Sequence, residues 1–185
     1  VEVGDPVWPG RAYQRVKDAG NMTDRLGALR ALVHAHAPLA DKALEHFHAM
    51  FRGDALVVDK WFALQACAPE RDGAVFGRVK ALLQHPDFTL ANPNRARSLV
   101  HMFCQHNAAA LHRADAAGVR FWADRVLELD AANPQLAARL VRTMDRWRHL
   151  AEPFRGAARE AVARIAAKAE LSNDVREIVT RALED

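Results

Sequence analysis

The stretch "NPNRARSLV" at residues 92–100 is echoed about forty positions later by "NPQLAARLV" at residues 133–141. In each copy the asparagine can accept N–H groups of a first helical turn, and the proline stands where a helix has no hydrogen bond to lose. Both copies therefore predict the start of a helix. A spacing near forty residues is typical of two-helix repeats, so the echo favours a superhelical array of helix pairs over a simple bundle.

Helix-forming residues fill the chain on both sides of this echo. Alternating runs of Val, Ile, Thr and Tyr are almost absent, whereas Ala, Leu and Arg dominate nearly every segment. The breaks are short and carry Gly, Pro, Asn or Ser, which predicts that neighbouring helices fold back on each other. The predicted helices span about 11–19, 24–36, 39–52, 55–67, 72–84, 94–106, 116–131, 134–149, 154–168 and 173–183.

These signals predict an all-α fold, a superhelical array of paired antiparallel helices of the HEAT/ARM-like α-solenoid type. A chain of 185 residues suits one core, so we predict a single helical domain over 1–185 that opens with a lead-in segment at 1–12. In the helix at 116–131, apolar residues recur at helical spacing and form one stripe. The helix at 55–67 has two apolar lines, which predicts that it lies at the centre of the fold.

Charge and hydropathy argue against two classes of partner. The net charge is +3, but arginines alternate with acidic residues, as in "RADAAGVRFWADRVLELD" at 113–130, so we expect a solvated surface and no nucleic-acid partner. Apolar runs stop well before the roughly 18 residues that a membrane helix needs, and no signal-like stretch opens the chain. We therefore expect a cytoplasmic protein without a membrane span.

Nine histidines justify a search for a metal site. None is followed by Glu, so the His-Glu-x-x-His zinc motif is missing. The pairs His34/His36 and His46/His48 are two residues apart, and on a helix such rings point in different directions. We interpret them as surface or interface histidines and assign no metal ligand in this chain.

The two cysteines do not suggest catalysis either. Cys67 and Cys104 lack the spacing of a disulfide framework or a zinc site, which favours reduced, buried thiols. His101 and Cys104 share a helix face, but a packed thiol beside a partly exposed imidazole is favoured over a nucleophilic pair. Nucleotide-binding and hydrolase motifs are also missing, so we assign no catalytic residue.

Gln135 and Arg139 are the polar residues that the second Asn-Pro helix presents. They are i, i+4 neighbours and project from one face. The amide of Gln135 can donate and accept, and the guanidinium of Arg139 suits a carboxylate. The residues alone leave two interpretations open, a pairing with an acidic neighbour or the binding of a ligand.

Five long segments, in the same order, resemble the C-terminal helical domain of bacterial aminopeptidase N, a zinc metallopeptidase of the alanyl-aminopeptidase type. They are "NMTDRLGALRALV" at 21–33, "DKWFALQA" at 59–66, "HPDFTLANPNRARSLV" at 85–100, "LHRADAAGVRFWADRVLELDAANPQLAARLV" at 111–141 and "LSNDVREIVTRALE" at 171–184. The resemblance covers essentially everything from about residue 13 onward.

The resemblance implies that these residues are the last domain of a larger enzyme and have no catalysis of their own. Zinc and the general base would belong to an earlier domain of the same polypeptide, and this chain would have no cofactor. The helical domain would close over that catalytic domain and enclose a chamber for short peptide substrates, whose N-terminal amino acids the full-length enzyme removes.

The resemblance also implies three substrate-binding residues. Gln135 matches a glutamine that faces the pocket for the first side chain of the peptide, and Arg139 and Arg97 match arginines toward the far end of the substrate. Asn94 and Arg95 match as well, but their orientation is not implied. The chief alternative from the sequence is a free-standing helical repeat scaffold that binds a protein or peptide partner. A helical-repeat nucleic-acid binder is the alternative that the interleaved acidic residues favour least.

Overall fold

The structure is a computed structural model that describes residues 4–184. Helices account for all regular structure in this part of the chain and no strand occurs in it, which confirms the all-α prediction. The helices are α1 (Trp8–Asp18), α2 (Met22–His34), α3 (Ala40–Phe51), α4 (Ala55–Ala66), α5 (Ala74–Leu82), α6 (Pro93–Ala96), a π-helical segment (Arg97–His101), α7 (Met102–His106), α8 (Ala108–Leu111), α9 (Ala117–Ala132), α10 (Pro134–Val141), two 3₁₀ segments (Arg142–Met144 and Trp147–His149), α11 (Phe154–Ala166) and α12 (Asn173–Leu183).

The predicted lead-in at 1–12 overlaps the first helix. Helix α1 begins at Trp8, with a proline in its first turn, as a helix start tolerates. Residues 1–3 of the lead-in, like the last residue of the predicted domain, lie outside the described part. The helix predicted at 94–106 is continuous in space but contains the π-helical segment, and the short α8 was not predicted.

The helix predicted at 134–149 ends at Val141 and continues only as 3₁₀ segments. The carbonyl of Leu140 accepts hydrogen bonds from the indole of Trp122, at 3.0 Å, and from the hydroxyl of Thr143, at 2.7 Å. A regular α-helix would use this carbonyl for the N–H group four residues later. Side-chain donors therefore compete with the backbone where the helix stops.

Both Asn-Pro pairs cap helices as predicted. The side chain of Asn92 accepts hydrogen bonds from the N–H groups of Asn94 and Arg95, at 3.0 and 3.2 Å. The side chain of Asn133 accepts one from Leu136 at 3.1 Å. Prolines follow both caps at the helix starts, where their missing N–H has no cost.

Helix α4 lies at the centre of the N-terminal half. It packs against α2, α3, α5, the π-helical segment and α7. Its two apolar lines are buried, as is the stripe on α9, so both periodicity predictions are confirmed. In the C-terminal half α9 packs on α10 and α11, and both of these pack on α12. This succession of paired helices is an α-solenoid around one continuous hydrophobic core.

Polar side chains tie successive layers together. Buried Asn107 donates hydrogen bonds to the carbonyls of Ala66 and Ala68, at 3.1 and 2.7 Å, and so joins the end of α4 to α8. Buried Asp130 on α9 accepts a hydrogen bond from the N–H of Ser172 at 2.9 Å and fixes the start of α12. Among the described helices none is long and apolar enough to cross a membrane.

Candidate functional site

Gln135 and Arg139 line one groove between α10 and α12, which we call the α10–α12 groove. Its volume is about 560 Å³. Both side chains are exposed, and they share one face of α10, as their i, i+4 spacing predicts. The remaining wall is contributed by Ala138, Arg142, Asp145, Arg148, Asp174, Glu177, Ile178, Arg181 and Ala182.

Arg139 is not paired with an acidic neighbour. Among residues 4–184 the guanidinium groups of Arg139 and Arg142 make no hydrogen bond and no ion pair. Arg181, on the opposite wall, pairs with Glu177 at 3.0 Å. Arg139 and Arg142 thus offer guanidinium groups that are not paired with the acidic residues of the groove, which suits an anionic ligand such as a carboxylate.

Arg97 lines a different cavity, which we call the Arg97 hollow. It has a volume of about 420 Å³ and lies between α4 and the π-helical segment. The side chain of Arg97 donates a hydrogen bond to that of Asn94, so Asn94 also faces this hollow. The wall is largely apolar and includes Leu56, Ala63 and Met102. The structure therefore separates Arg97 from the groove that Gln135 and Arg139 share.

The imidazole of His101 is affected by the charge of an arginine from each of the two cavities. Burial lowers the pKa of its imidazole, and the positive charges of His106, Arg139 and Arg97 lower this pKa further. The imidazole is therefore within electrostatic range of both arginines. Sequence reasoning considered His101 only beside Cys104, whose thiol is buried and has its pKa raised by that burial. The thiol is thus a core group and not a nucleophile.

The π-helical segment carries Arg97 at its first position and His101 at its last. A π-helical turn holds an extra residue and commonly occurs at functional sites. It changes the direction in which side chains leave the helix, so a regular helix through 93–106 would present these two residues differently. Propensity and periodicity carry no signal for such a turn, which is why the sequence predicted an uninterrupted helix.

Arg95 belongs to the core and not to a cavity. Its guanidinium lies 2.8 Å from the carboxylate of Asp59 and 5.1 Å from the centre of the Phe62 ring. The side chain is 8% exposed. Arg95 is therefore occupied within the protein, and of the neighbouring residues only Asn94 and Arg97 are open to a ligand.

A third cavity, the α2–α4 groove, adjoins the Arg97 hollow. Its volume is about 520 Å³, and Met22, Leu26 and Leu64 make its wall largely apolar. Both cavities are lined by Ala63 and Met102. They form one continuous surface along α2, α4 and α7, with an apolar part at one end and Arg97 at the other.

A cluster of ligand-type side chains lies outside these cavities. Nε2 of His48 lies 2.6 Å from Oδ2 of Asp87, and Nδ1 of His85 lies 3.9 Å from the same oxygen. Sequence reasoning considered His48 only together with His46 on the same helix. Its actual neighbours come from the turn after α5, almost forty residues later, and no local pattern relates them.

Comparisons with known proteins agree with this architecture. The chain matches the family described as "Domain of unknown function (DUF3458_C) ARM repeats" over residues 1–184. It is 44% identical over 165 residues to the Aminopeptidase N of Caulobacter vibrioides, which covers 89% of this chain and 19% of that protein. It is 38% identical over 166 residues to the Aminopeptidase N of Escherichia coli, which covers 90% of this chain and 19% of that protein.

A solved structure has the same fold. The crystal structure of Legionella pneumophila aminopeptidase A in complex with aspartic acid matches with a TM-score of 0.86 and 31% sequence identity. The match covers 95% of this chain and 20% of that one. The chain thus spans about one fifth of the length of the relatives that it matches.

Proposed function

This chain belongs to the DUF3458_C family of ARM-repeat domains, and we propose that it is the C-terminal domain of a zinc aminopeptidase that caps the active site and encloses the substrate chamber. The observation that carries this proposal is the 44% identity to an Aminopeptidase N across 89% of the chain. The domain binds peptide substrates, and the full-length enzyme removes their N-terminal amino acids.

Hydrolysis belongs to another part of the parent polypeptide. No histidine of this chain is followed by Glu, so the helix that would hold a hydrolytic zinc ion and its general base is not encoded here. The residues of this chain therefore do not fit the peptidase zinc, and no step of bond cleavage is assigned to them. Their contribution is to admit, orient and hold the peptide.

Arg139 and Gln135 bind different parts of a peptide in this proposal. A peptide substrate ends in a carboxylate, and the unpaired guanidinium of Arg139 can donate two parallel hydrogen bonds to it. The amide of Gln135, one turn earlier on α10, can donate to and accept from the peptide at the pocket of its first side chain. Enclosure by the catalytic domain excludes water and strengthens both contacts.

Arg97 extends the positive wall toward the far end of the substrate. It lies in the neighbouring hollow, and the shared effect of Arg97 and Arg139 on His101 supports a common electrostatic field. This field would attract the terminal carboxylate of a peptide and needs no bond to the peptide's own side chains. The chamber therefore accepts short peptides of varied sequence.

The test uses the full-length parent enzyme and the variant Arg139→Ala. We expect KM for peptides of three or more residues to rise by about tenfold or more, because the charge-assisted contact with the terminal carboxylate is lost. Single-residue chromogenic substrates, which have no distant carboxylate, should change little. Arg159→Ala, an exposed arginine on α11 that lines none of the three cavities, is the matched control.

Two outcomes contradict the proposal. Equal losses on peptides and single-residue substrates argue against a role at the far end of the substrate. A reading frame without a His-Glu-x-x-His segment before this domain favours the free-standing scaffold, which would bind a protein or peptide partner without any peptidase.

A further inference from the structure

His48, His85 and Asp87 bring three potential metal ligands together. One ring nitrogen of each histidine and one oxygen of the carboxylate all lie within 4.8 Å of one another. His48 lies on α3, and the other two residues lie in the turn between α5 and α6. None of the three lines the cavities described above, so the cluster is independent of the proposed substrate site.

Aromatic packing holds both imidazoles in place. The ring of His48 lies 4.8 Å from that of Trp61 and 5.1 Å from that of His85. The ring of His85 also contacts Trp61 and Phe62, with ring centres 5.3 and 5.7 Å apart. Trp61 is itself anchored, because its indole donates a hydrogen bond of 3.0 Å to the carbonyl of Leu44. Ligands that packing already orients lose little entropy when an ion binds.

Hydrogen bonds indicate which ring nitrogens of His48 and His85 are available to bind an ion. The backbone N–H of Asp87 donates to Nδ1 of His85 at 3.1 Å, so this nitrogen is unprotonated and the ring proton belongs on Nε2. An ion bound at Nδ1 would replace this hydrogen bond. Nε2 of His48 lies 2.6 Å from the Asp87 carboxylate, the distance of a hydrogen bond that one proton holds between them. An ion would take the place of that proton, and a metal ligand must be unprotonated.

The charges around the cluster are compatible with a bound cation. Besides the cluster's own His48 and Asp87, the charge that acts on His85 is that of Arg95, but the guanidinium of Arg95 is 2.8 Å from the carboxylate of Asp59. The Arg95–Asp59 pair is therefore close to neutral as a unit.

We propose that His48, His85 and Asp87 form a binding site for a divalent transition-metal ion of the zinc class. Two imidazole nitrogens and one carboxylate oxygen are a ligand set that such ions accept, with a fourth position left for water. Ligands about 2.1 Å from a tetrahedral zinc ion lie about 3.4 Å apart. Closing the widest separation therefore needs side-chain movements of at most about 1.4 Å. The bound ion would clamp α3 to the turn that leads into the helix carrying Arg97.

The test uses the 185-residue chain, free of any affinity tag and stripped with a chelator. Its single continuous core supports independent folding, and circular dichroism checks this for each variant. We expect one Zn²⁺ per chain by calorimetric titration, and a visible ligand-field absorption band with Co²⁺. Zinc at a hundredfold excess over Kd should raise Tm by about 5 °C or more, since it binds only the folded state.

Variants identify the ligands. Asp87→Asn preserves size and His48→Asn removes the imidazole, and each should lower zinc affinity by more than about tenfold and remove the cobalt band. His149→Asn, which changes an exposed histidine far along the chain, is the control and should bind like the unaltered protein. The proposal is overturned if the unaltered chain shows neither the cobalt band nor the rise in Tm. It is equally overturned if Asp87→Asn and His48→Asn bind zinc as tightly as the control.

Discussion

Nη1 of Arg95 lies 2.8 Å from Oδ1 of Asp59, and this contact joins the start of α6 to the middle of α4. The two atoms lack the alignment of a hydrogen bond, so the attraction is electrostatic. The side chains are only 8% and 17% exposed. Two residues later Arg97 is exposed and points to a cavity. Two arginines of one short sequence stretch therefore have different roles, one in the core and one at a surface.

Removing the partner of Arg95 should destabilise the fold. Asp59→Ala leaves a buried guanidinium without its counter-ion, which we expect to cost about 3 kcal/mol in the free energy of unfolding. Arg97→Ala removes an exposed side chain and should change this free energy by less than about 0.5 kcal/mol. Urea denaturation of both variants checks the prediction, and similar costs for the two would contradict it.

Gly118 permits the closest approach between α9 and α8. A Cβ atom at this position would lie 2.5 Å from the carbonyl oxygen of Ala110 and still closer to that of Leu111. Backbone atoms cannot give way as a side chain can, so Gly118→Ala should lower the unfolding free energy by about 2 kcal/mol or more.

The matched control is Gly77→Ala inside α5, where a Cβ atom would meet nothing within 4 Å. Alanine is the better helix former, so this variant should raise stability by about 0.5–1 kcal/mol. Thermal or urea unfolding of the two variants measures both changes in unfolding free energy, which should have opposite signs. If both glycines respond alike, the close contact at Gly118 does not exist in solution.

Asn107 is a buried link whose loss leaves two acceptors without a donor. In Asn107→Ala the carbonyls of Ala66 and Ala68 lose their hydrogen bonds, and we expect a cost of about 2 kcal/mol. Gln105→Ala, an exposed position on the preceding helix, should be near neutral. Hydrogen exchange at the end of α4 provides a second measurement, because opening should become faster there in Asn107→Ala only.

Stability should fall as pH decreases below about neutrality, in part because of His112. Burial lowers the pKa of this imidazole from its ordinary value of 6.5. At a pH between the lowered pKa of the folded chain and the ordinary pKa of the unfolded chain, the unfolded chain binds a proton that the folded chain does not. The free energy of unfolding therefore rises with pH through this window and falls as pH falls. The His112→Gln variant should show a smaller loss of Tm from pH 7 to pH 5.

His149→Gln serves as the control for this experiment, since the histidine is exposed and its replacement should leave the slope of Tm against pH unchanged. A pH slope that is the same in the unaltered chain and in His112→Gln would show that His112 is not shielded from water.

Local features of the fold were readable from the sequence. Asn92 and Asn133 cap helices because the cap depends on a side chain and the next few N–H groups. Trp122 and Leu129 are buried because helical spacing placed them on one stripe. The side-by-side position of Gln135 and Arg139 follows from the same geometry. Each of these inferences needs only residues within about two turns of one another.

Other features depend on distant partners. At the end of α10 the indole of Trp122 donates a hydrogen bond to the carbonyl of Leu140, and this contact spans 18 positions of sequence. The meeting of His48 with Asp87 spans 39 positions. The burial of Arg95 depends on Asp59 in another helix. No window of local sequence contains both members of such a pair, so periodicity could not assign their roles.

By itself the sequence determined an all-α chain of capped, amphipathic helices and the faces that those helices bury, because helix geometry repeats over a few residues. Tertiary structure alone decided which exposed polar groups share a cavity, which arginine is neutralised and where a regular helix becomes π-helical. Those outcomes depend on the packing of one helix against another, where distance and desolvation set the free energy of each contact.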